Sequence, residues 1–150
     1  MTHPEKAPSS TLWTSSEAEK VTGGKSTSDW FATGVSIDTR TLKQGDLFIA
    51  LEGDNGNGHD YLAQAFEKGA SAAVVSQIAG DQDKNLPLLV VNDTFKAMQD
   101  LGQGARDRTA AKVIAVTGSV GKTGTKEMLA AAFGKYGQTH AAIKSYNNHW

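Results

Sequence analysis

The order of apolar and polar positions along the chain predicts alternating strands and helices. Short apolar runs that are typical of buried strands occupy residues 35–38, 46–51, 72–76 and 88–92. Between the second and third runs, Leu62, Ala65 and Phe66 recur at helical spacing, so we expect a helix over residues 60–68 that ends at Gly69. This alternation is typical of an α/β fold.

Two further helices are predicted from their capping residues. Ser16-Glu17-Ala18-Glu19 has the spacing of a capping box, and Gly23-Gly24 predicts the end of that helix. Asp93 or Thr94 can cap a second helix. Its predicted apolar stripe consists of Phe95, Met98, Leu101 and Ala105.

The final part of the chain predicts one β-loop-α-β unit. We expect a strand over 112–117, a helix over 122–135 and another strand over 138–143. A parallel sheet usually has several strands with helices on both faces, so we expect this second domain to be incomplete and poorly ordered. The predicted organisation is a flexible leader at 1–11, a first domain at 12–92, a connecting helix at 93–109 and the start of a second domain at 110–150.

Composition narrows the class of protein. Hydrophobic residues make up 39% and charged residues 21% of the 150 residues, which favours a folded chain over disorder. With a net charge of −1, the chain lacks the positive charge that attracts a phosphate backbone, so we do not expect it to bind nucleic acid. The chain has no cysteine, and we find neither a signal peptide nor a run long enough to span a membrane. We therefore expect a cytoplasmic protein without membrane insertion.

Gly118-Ser119-Val120-Gly121-Lys122-Thr123 lies between the predicted strand and helix, where a phosphate-binding loop is expected. The glycines allow backbone N–H groups to approach phosphate oxygens, and the helix N-terminus adds partial positive charge. Lys122 would contact the β and γ phosphates, and the Thr123 hydroxyl would bind Mg²⁺. The longer Walker pattern has a glycine where this chain has Val116, so the match is to a shorter variant. Kinases, ATPases, switches and ligases can all use such a loop, and a plain strand-to-helix turn is the alternative.

Three other groups of residues are less specific. Ser36-Ile37-Asp38-Thr39-Arg40 is, by its residues alone, typical of a solvated strand end with an internal Asp–Arg pair. His59-Asp60 ends a glycine-rich loop and is typical of a surface turn before a helix cap. Asn147-Asn148 fits either a turn or a ligand loop. The four histidines lack the spacing of a zinc site.

Taken together, these motifs resemble the Mur ligase family. The resemblance rests on the order and spacing of Ser36–Arg40, Gly45–Gly53, His59-Asp60, Gly69-Ala70 and Thr117–Thr123, and it extends from about Trp13 to the end of the chain. It implies a small mixed α/β N-terminal domain that binds a UDP substrate, followed by the first β-loop-α-β unit of a P-loop ATPase domain.

The resemblance also implies roles for individual residues. Lys122 and Thr123 would act in catalysis, with Mg²⁺ on Thr123. Ser36, Asp38, Thr39, Arg40 and His59 would bind the UDP substrate, and Asn147 and Asn148 would lie in a loop of the central domain. The ATP-binding residues would be Thr117, Gly118, Ser119, Val120, Gly121, Lys122, Thr123 and Gly124.

The chemistry implied by the family is ATP-dependent amide-bond formation. A substrate carboxylate attacks the γ-phosphate of ATP, and an amine captures the resulting acyl phosphate. Lys126-Glu127-Met128 and Tyr146–Trp150 favour the member type that joins D-alanyl-D-alanine to UDP-N-acetylmuramoyl-tripeptide. We expect a monomer at full length. The resemblance also implies that these 150 residues alone are inactive, because the family's later central-domain glutamate, histidine and modified lysine have no counterpart in them. Three alternatives stay open: a stand-alone nucleotide-binding module, a small phosphotransferase related to P-loop kinases, and a sister ligase that adds a different amino acid.

Overall fold

The computed structural model describes residues 10–53, 56–78 and 85–142. The chain divides into two compact units, Met1–Thr109 and Ala110–Trp150. The strands are β1 Trp13–Thr14, β2 Lys25–Ser26, β3 Phe31–Ala32, β4 Gly34–Ser36, β5 Asp46–Ile49, β6 Glu52–Gly53, β7 Gly56–Asn57, β8 Ala72–Val75 and β9 Leu88–Val90. The helices are α1 Ser15–Thr22, a 3-10 turn Gly58–Tyr61, α2 Leu62–Glu67, α3 Thr94–Asp107 and α4 Lys122–Phe133.

The main sheet of the first unit has the strand order β2-β9-β8-β5-β4. The four neighbouring strands from β9 to β4 are parallel, and β2 joins the far edge antiparallel to β9. The helix α2 lies in the connection between the parallel strands β5 and β8, as such a crossover requires. β4 is therefore an edge strand, and the residues that follow it begin at a border of the sheet.

Both faces of this sheet are covered, which explains why its central strands are apolar without alternation. Leu47 and Ile49 lie on the face that α1 and α3 cover, where Trp13 and Leu101 are also buried. Phe48 lies on the opposite face in the cluster that includes residues of α2. Successive β5 residues thus enter different cores, as the pleat of a strand requires.

The four strands predicted in the first unit are confirmed, each with a shorter extent, and β4 begins one residue before its predicted start. The predicted end of α1 is confirmed at Gly23, whose φ is 70°. The predicted capping box of α1 is wrong by two residues. Thr14 is the N-cap, and its hydroxyl accepts from the Glu17 N–H while the Glu17 carboxylate accepts from the Thr14 N–H. Thr14 fits this position because it ends β1 in extended conformation.

The predicted helix over 60–68 begins earlier, as the 3-10 turn Gly58–Tyr61, and continues as α2. The side chain of Asn57 caps the turn by accepting from the His59 N–H at 3.0 Å. His59 itself is therefore brought inside the first turn and becomes buried.

In the second unit the predicted helix is confirmed as α4, whereas the predicted strands are wrong for the described residues. Residues 112–117 and 138–142 form no strand, because no described segment of this unit pairs with them. Backbone hydrogen bonds to a neighbouring chain are what define and stabilise a strand. The sequence pattern alone does not supply them.

None of the helices in the described part of the chain is long and apolar enough to cross a membrane.

Candidate functional site

The Ser36–Arg40 segment begins at the carboxyl end of the edge strand β4. Ser36 is buried and donates through its hydroxyl to the Asp38 carbonyl at 3.0 Å. The same hydroxyl accepts from the Asp38 N–H at 3.3 Å. These local bonds turn the chain as it leaves the sheet, so Asp38 and Arg40 are presented at the sheet border.

Arg40 and Asp38 form a close ion pair. The guanidinium of Arg40 donates through Nε to Asp38 Oδ1 at 2.9 Å and through Nη2 to Oδ2 at 2.7 Å. The Arg40 backbone N–H adds a bond to Oδ1 at 2.9 Å. The hydrogen bond from the guanidinium is the largest cause that lowers the pKa of Asp38 to about 2. Asp38 is therefore ionised at neutral pH, and the Asp–Arg pair expected from the sequence is confirmed.

Thr39 faces inward between these two charged residues. It is 7% exposed, and its hydroxyl donates to Gln64 Oε1 at 2.5 Å. Lys68 donates through Nζ to the Thr39 carbonyl at 2.7 Å. Two side chains from the region of α2 thus hold Thr39, one at its hydroxyl and the other at its backbone carbonyl. The sequence pattern did not identify Gln64 or Lys68, because their partner lies far along the chain.

His59 has internal partners at both ring nitrogens. Nε2 lies 2.9 Å from the backbone N–H of Ser76, so Nε2 is the acceptor. The other nitrogen, Nδ1, therefore carries the proton and donates to Asn57 Oδ1 at 2.7 Å. The Ser76 hydroxyl donates to Glu52 at 3.2 Å. These bonds join the loop before α2 to the end of β8, so the His59 ring holds these two segments together.

A cavity of about 360 Å³ borders Ser36 and the other residues of β4. Its walls include Thr41, Lys43 and Asp46. The Asp46 carboxylate accepts from the Lys43 N–H at 2.8 Å, which fixes the turn that leads into β5. Polar groups thus line the border of the sheet beside the Ser36–Arg40 segment.

The phosphate-loop candidate lies in the second unit. Gly118 has φ of 149° and Gly121 has φ of 78°, conformations that side chains disfavour. Gly121 is the N-cap of α4, and within the described residues no side chain caps this helix end. Its first N–H groups therefore have the exposure that an anion requires. The two glycines stand where the loop needs left-handed backbone.

Lys122 folds back over the loop and donates through Nζ to the Gly118 carbonyl. The Thr123 hydroxyl lies on the exposed first turn of α4, and Ser119 and Val120 are also exposed. Space beside Gly124 is open in the structure. A flexible cation, an exposed hydroxyl and free N–H groups fit a polyphosphate with its divalent cation. Thr117 precedes the loop and is exposed as well.

The predicted site residues therefore form two separate sets. Ser36, Asp38, Thr39 and Arg40 come together in the first unit, where His59 instead bonds to Asn57 and Ser76. Residues 117–124 come together in the second unit. Asn147 and Asn148 lie outside the described residues. The described residues hold no group of three or more His, Cys, Asp or Glu side chains that could bind a metal ion.

Three features indicate the class of protein: a mixed sheet covered by helices, an Asp–Arg segment at the border of that sheet, and a glycine loop before a helix. The chain belongs to the Mur ligase family, because the model described as "Mur ligase family, catalytic domain" matches residues 32–131. A curated relative is the UDP-N-acetylmuramoyl-tripeptide–D-alanyl-D-alanine ligase of Synechocystis sp. It is 40% identical over 114 residues, which cover 76% of this chain and 25% of the relative.

Solved structures agree with this assignment. The UDP-N-acetylmuramoylalanyl-D-glutamyl-2,6-diaminopimelate–D-alanyl-D-alanyl ligase from Acinetobacter baumannii matches with a TM-score of 0.70 and 34% identity, covering 82% of this chain and 28% of its own. The MurF ligase from Thermotoga maritima in complex with ADP matches with a TM-score of 0.54 and 26% identity, covering 68% and 23%. The chain thus spans about a quarter of the length of the curated relatives it matches.

Proposed function

We propose that this chain acts in the ATP-dependent joining of D-alanyl-D-alanine to UDP-N-acetylmuramoyl-tripeptide, a step in the synthesis of peptidoglycan precursor. The observation that carries the proposal is that one chain contains both a phosphate-type loop before α4 and the Asp–Arg segment after β4. The names of the similar ligases support this choice of substrates. The predicted cytoplasmic location agrees with such a role.

The second unit would hold the nucleotide. The N–H groups after Gly121 would bind phosphate oxygens, and Lys122 would exchange its bond to the Gly118 carbonyl for one to a phosphate. The Thr123 hydroxyl would be a ligand of Mg²⁺, which prefers hard oxygen atoms. ATP supplies the phosphoryl group that activates the substrate carboxylate. The family resemblance, with the ADP complex of a similar ligase, supports a nucleotide here.

The first unit would hold the UDP part of the muropeptide. Arg40 is already ordered by Asp38, so less side-chain freedom is lost when the guanidinium binds a diphosphate. Thr39 and Ser36 would fix the backbone that carries this cation. His59 would act from behind, because its ring nitrogens hold the adjacent loop and β8.

The test is calorimetric titration of the 150-residue chain with UDP-N-acetylmuramoyl-tripeptide and, separately, with Mg-ATP. We expect Arg40→Ala to weaken muropeptide binding about tenfold or more and to leave Mg-ATP binding unchanged, because it removes charge-assisted hydrogen bonds. We expect Lys122→Ala to have the converse effect. The two sites lie in different units, so each substitution should affect one ligand.

Matched controls are Arg106→Ala, an exposed arginine of α3, and Lys135→Ala, an exposed lysine just beyond α4. Neither control should alter either affinity. Mg-ATP binding without muropeptide binding would favour a stand-alone nucleotide-binding module. Tighter binding of the shorter UDP-N-acetylmuramoyl-dipeptide than of the tripeptide would favour a sister ligase that adds a different residue.

A further inference from the structure

Tyr61 is an exposed aromatic residue beside the Ser36–Arg40 segment. It stands at the junction of the 3-10 turn and α2, and 50% of it is exposed. Single exposed apolar residues are common on protein surfaces, so exposure alone indicates nothing. What distinguishes Tyr61 is the side of the helix on which it lies.

Tyr61, Gln64 and Lys68 follow the spacing i, i+3 and i+7, which places them on one flank of the α2 region. Gln64 and Lys68 both contact Thr39, at 2.5 Å and 2.7 Å. These contacts place the flank against the Ser36–Arg40 segment. Tyr61, at the beginning of the same flank, therefore borders this segment.

The Ser36–Arg40 segment on this border carries the Arg40 side chain, which is 86% exposed. The pKa of Arg40 is raised, mainly through its hydrogen bond to Asp38 and, as a smaller effect, through electrostatic interaction with Tyr61. An aromatic surface and a cation share one exposed border.

We propose that Tyr61 binds the substrate by stacking on the pyrimidine ring of UDP while Arg40 binds the diphosphate. The inference rests on the proposed function above and adds a residue to its first site. A nucleoside diphosphate carries both a planar base and an anionic group, which match a ring and a cation on the same border. Tyr61 needs only two side-chain torsions fixed to present its ring.

The experiment measures the affinity of the 150-residue chain for UDP-N-acetylmuramoyl-tripeptide and for UDP by calorimetry, using three variants. Tyr61→Leu keeps apolar bulk but removes the ring, and we expect it to weaken both affinities about tenfold. Tyr61→Phe keeps the ring, and we expect it to stay within about twofold of the unsubstituted chain. Tyr136→Leu removes an 89% exposed tyrosine from the second unit and should change neither affinity.

The outcomes separate the two proposals. If Tyr61→Leu binds as tightly as the unsubstituted chain while Arg40→Ala binds weakly, the stacking role is wrong and the proposed function stands. If Tyr61→Phe is as weak as Tyr61→Leu, the hydroxyl and not the ring is responsible, which also overturns stacking. If the unsubstituted chain binds neither UDP nor the muropeptide, both proposals are wrong. Equal thermal unfolding of all variants shows that a lost affinity is not lost folding.

Discussion

At the scale of single residues, the Asp38–Arg40 pair has more hydrogen bonds than its small contribution to folding stability would explain. Arg40 donates to the Asp38 carboxylate through Nε and Nη2 of its side chain and through its backbone N–H. Ion pairs this exposed contribute little to the free energy of unfolding, because water screens them. The pair instead holds a guanidinium in a fixed direction, which is useful for binding an anion.

The Asp38 carboxyl gives a direct test of this pair. We expect Arg40→Ala to raise the Asp38 pKa from about 2 toward the ordinary value of 3.8, because the largest cause of the shift is removed. Carboxyl chemical shifts followed by NMR from pH 6 to pH 1.5 measure it. Arg106→Ala serves as the control and should leave the Asp38 titration unchanged. An Asp38 pKa that remains near 2 in Arg40→Ala would show that another group is responsible.

The sign of the associated pH dependence follows from the lowered pKa. The folded chain binds this proton less readily than the unfolded chain does, so ionised Asp38 stabilises the fold. That contribution is complete above about pH 4 and is lost as the pH falls from about 4 to about 2. Arg40→Ala should therefore reduce the acid sensitivity of unfolding in this window.

At the scale of elements, α3 contains two glycines with opposite surroundings. Gly102 is exposed, and an added Cβ would meet nothing within 4 Å. Gly104 is buried against α1 and β1, and an added Cβ would lie 2.8 Å from Val21 Cγ1 and 3.1 Å from Trp13. Glycine at 104 thus permits the close approach of the two helices. The glycine at 102 has no such steric reason.

Alanine substitutions at these two glycines are predicted to change the free energy of unfolding in opposite directions. Gly102→Ala should stabilise the first unit by about 0.5–1 kcal/mol, because alanine is the better helix former. Gly104→Ala should destabilise it by about 1 kcal/mol, because overpacking against Val21 outweighs the same helical gain. Urea unfolding followed by circular dichroism measures both. Equal stabilisation by the two substitutions would contradict the packing assigned to Gly104.

At the scale of the whole molecule, the two units differ in how their apolar residues are covered. In the first unit, both faces of the sheet are buried, and Leu47, Val74 and Leu88 are fully enclosed. In the second unit, Val113 is 65% and Met128 is 72% exposed, and none of its described residues is buried. Local stability follows buried contacts and protected hydrogen bonds, so it should differ between the units.

Hydrogen–deuterium exchange measured by mass spectrometry tests this difference. We expect peptides covering β5 and β8 to exchange slowly, because their amides bond to neighbouring strands. Peptides covering 112–117 should exchange at least about a hundredfold faster, since those amides lack a strand partner among the described residues. Equal protection of the two regions would show that residues 112–117 are paired after all.

The fold of the first unit was largely predictable, because alternating apolar runs and helical spacing reflect burial on two faces of a sheet. The cap at Thr14 was missed because β1 is too short to leave a recognisable pattern. His59 was expected to bind the UDP substrate, and the structure adds a bond from its ring to Ser76, 17 residues away, which no local pattern indicated. The predicted roles in ATP, Mg²⁺ and UDP binding stay predictions at residue level.

The sequence by itself determined the α/β alternation, the glycine loop before α4 and the Asp–Arg pair, because each depends on residues a few positions apart. Only the tertiary structure decided which residues stand beside that pair. Gln64 and Lys68 reach Thr39 across 25 and 29 residues of chain. Such contacts depend on strand order and on the side of the sheet that α2 covers, which no local pattern contains.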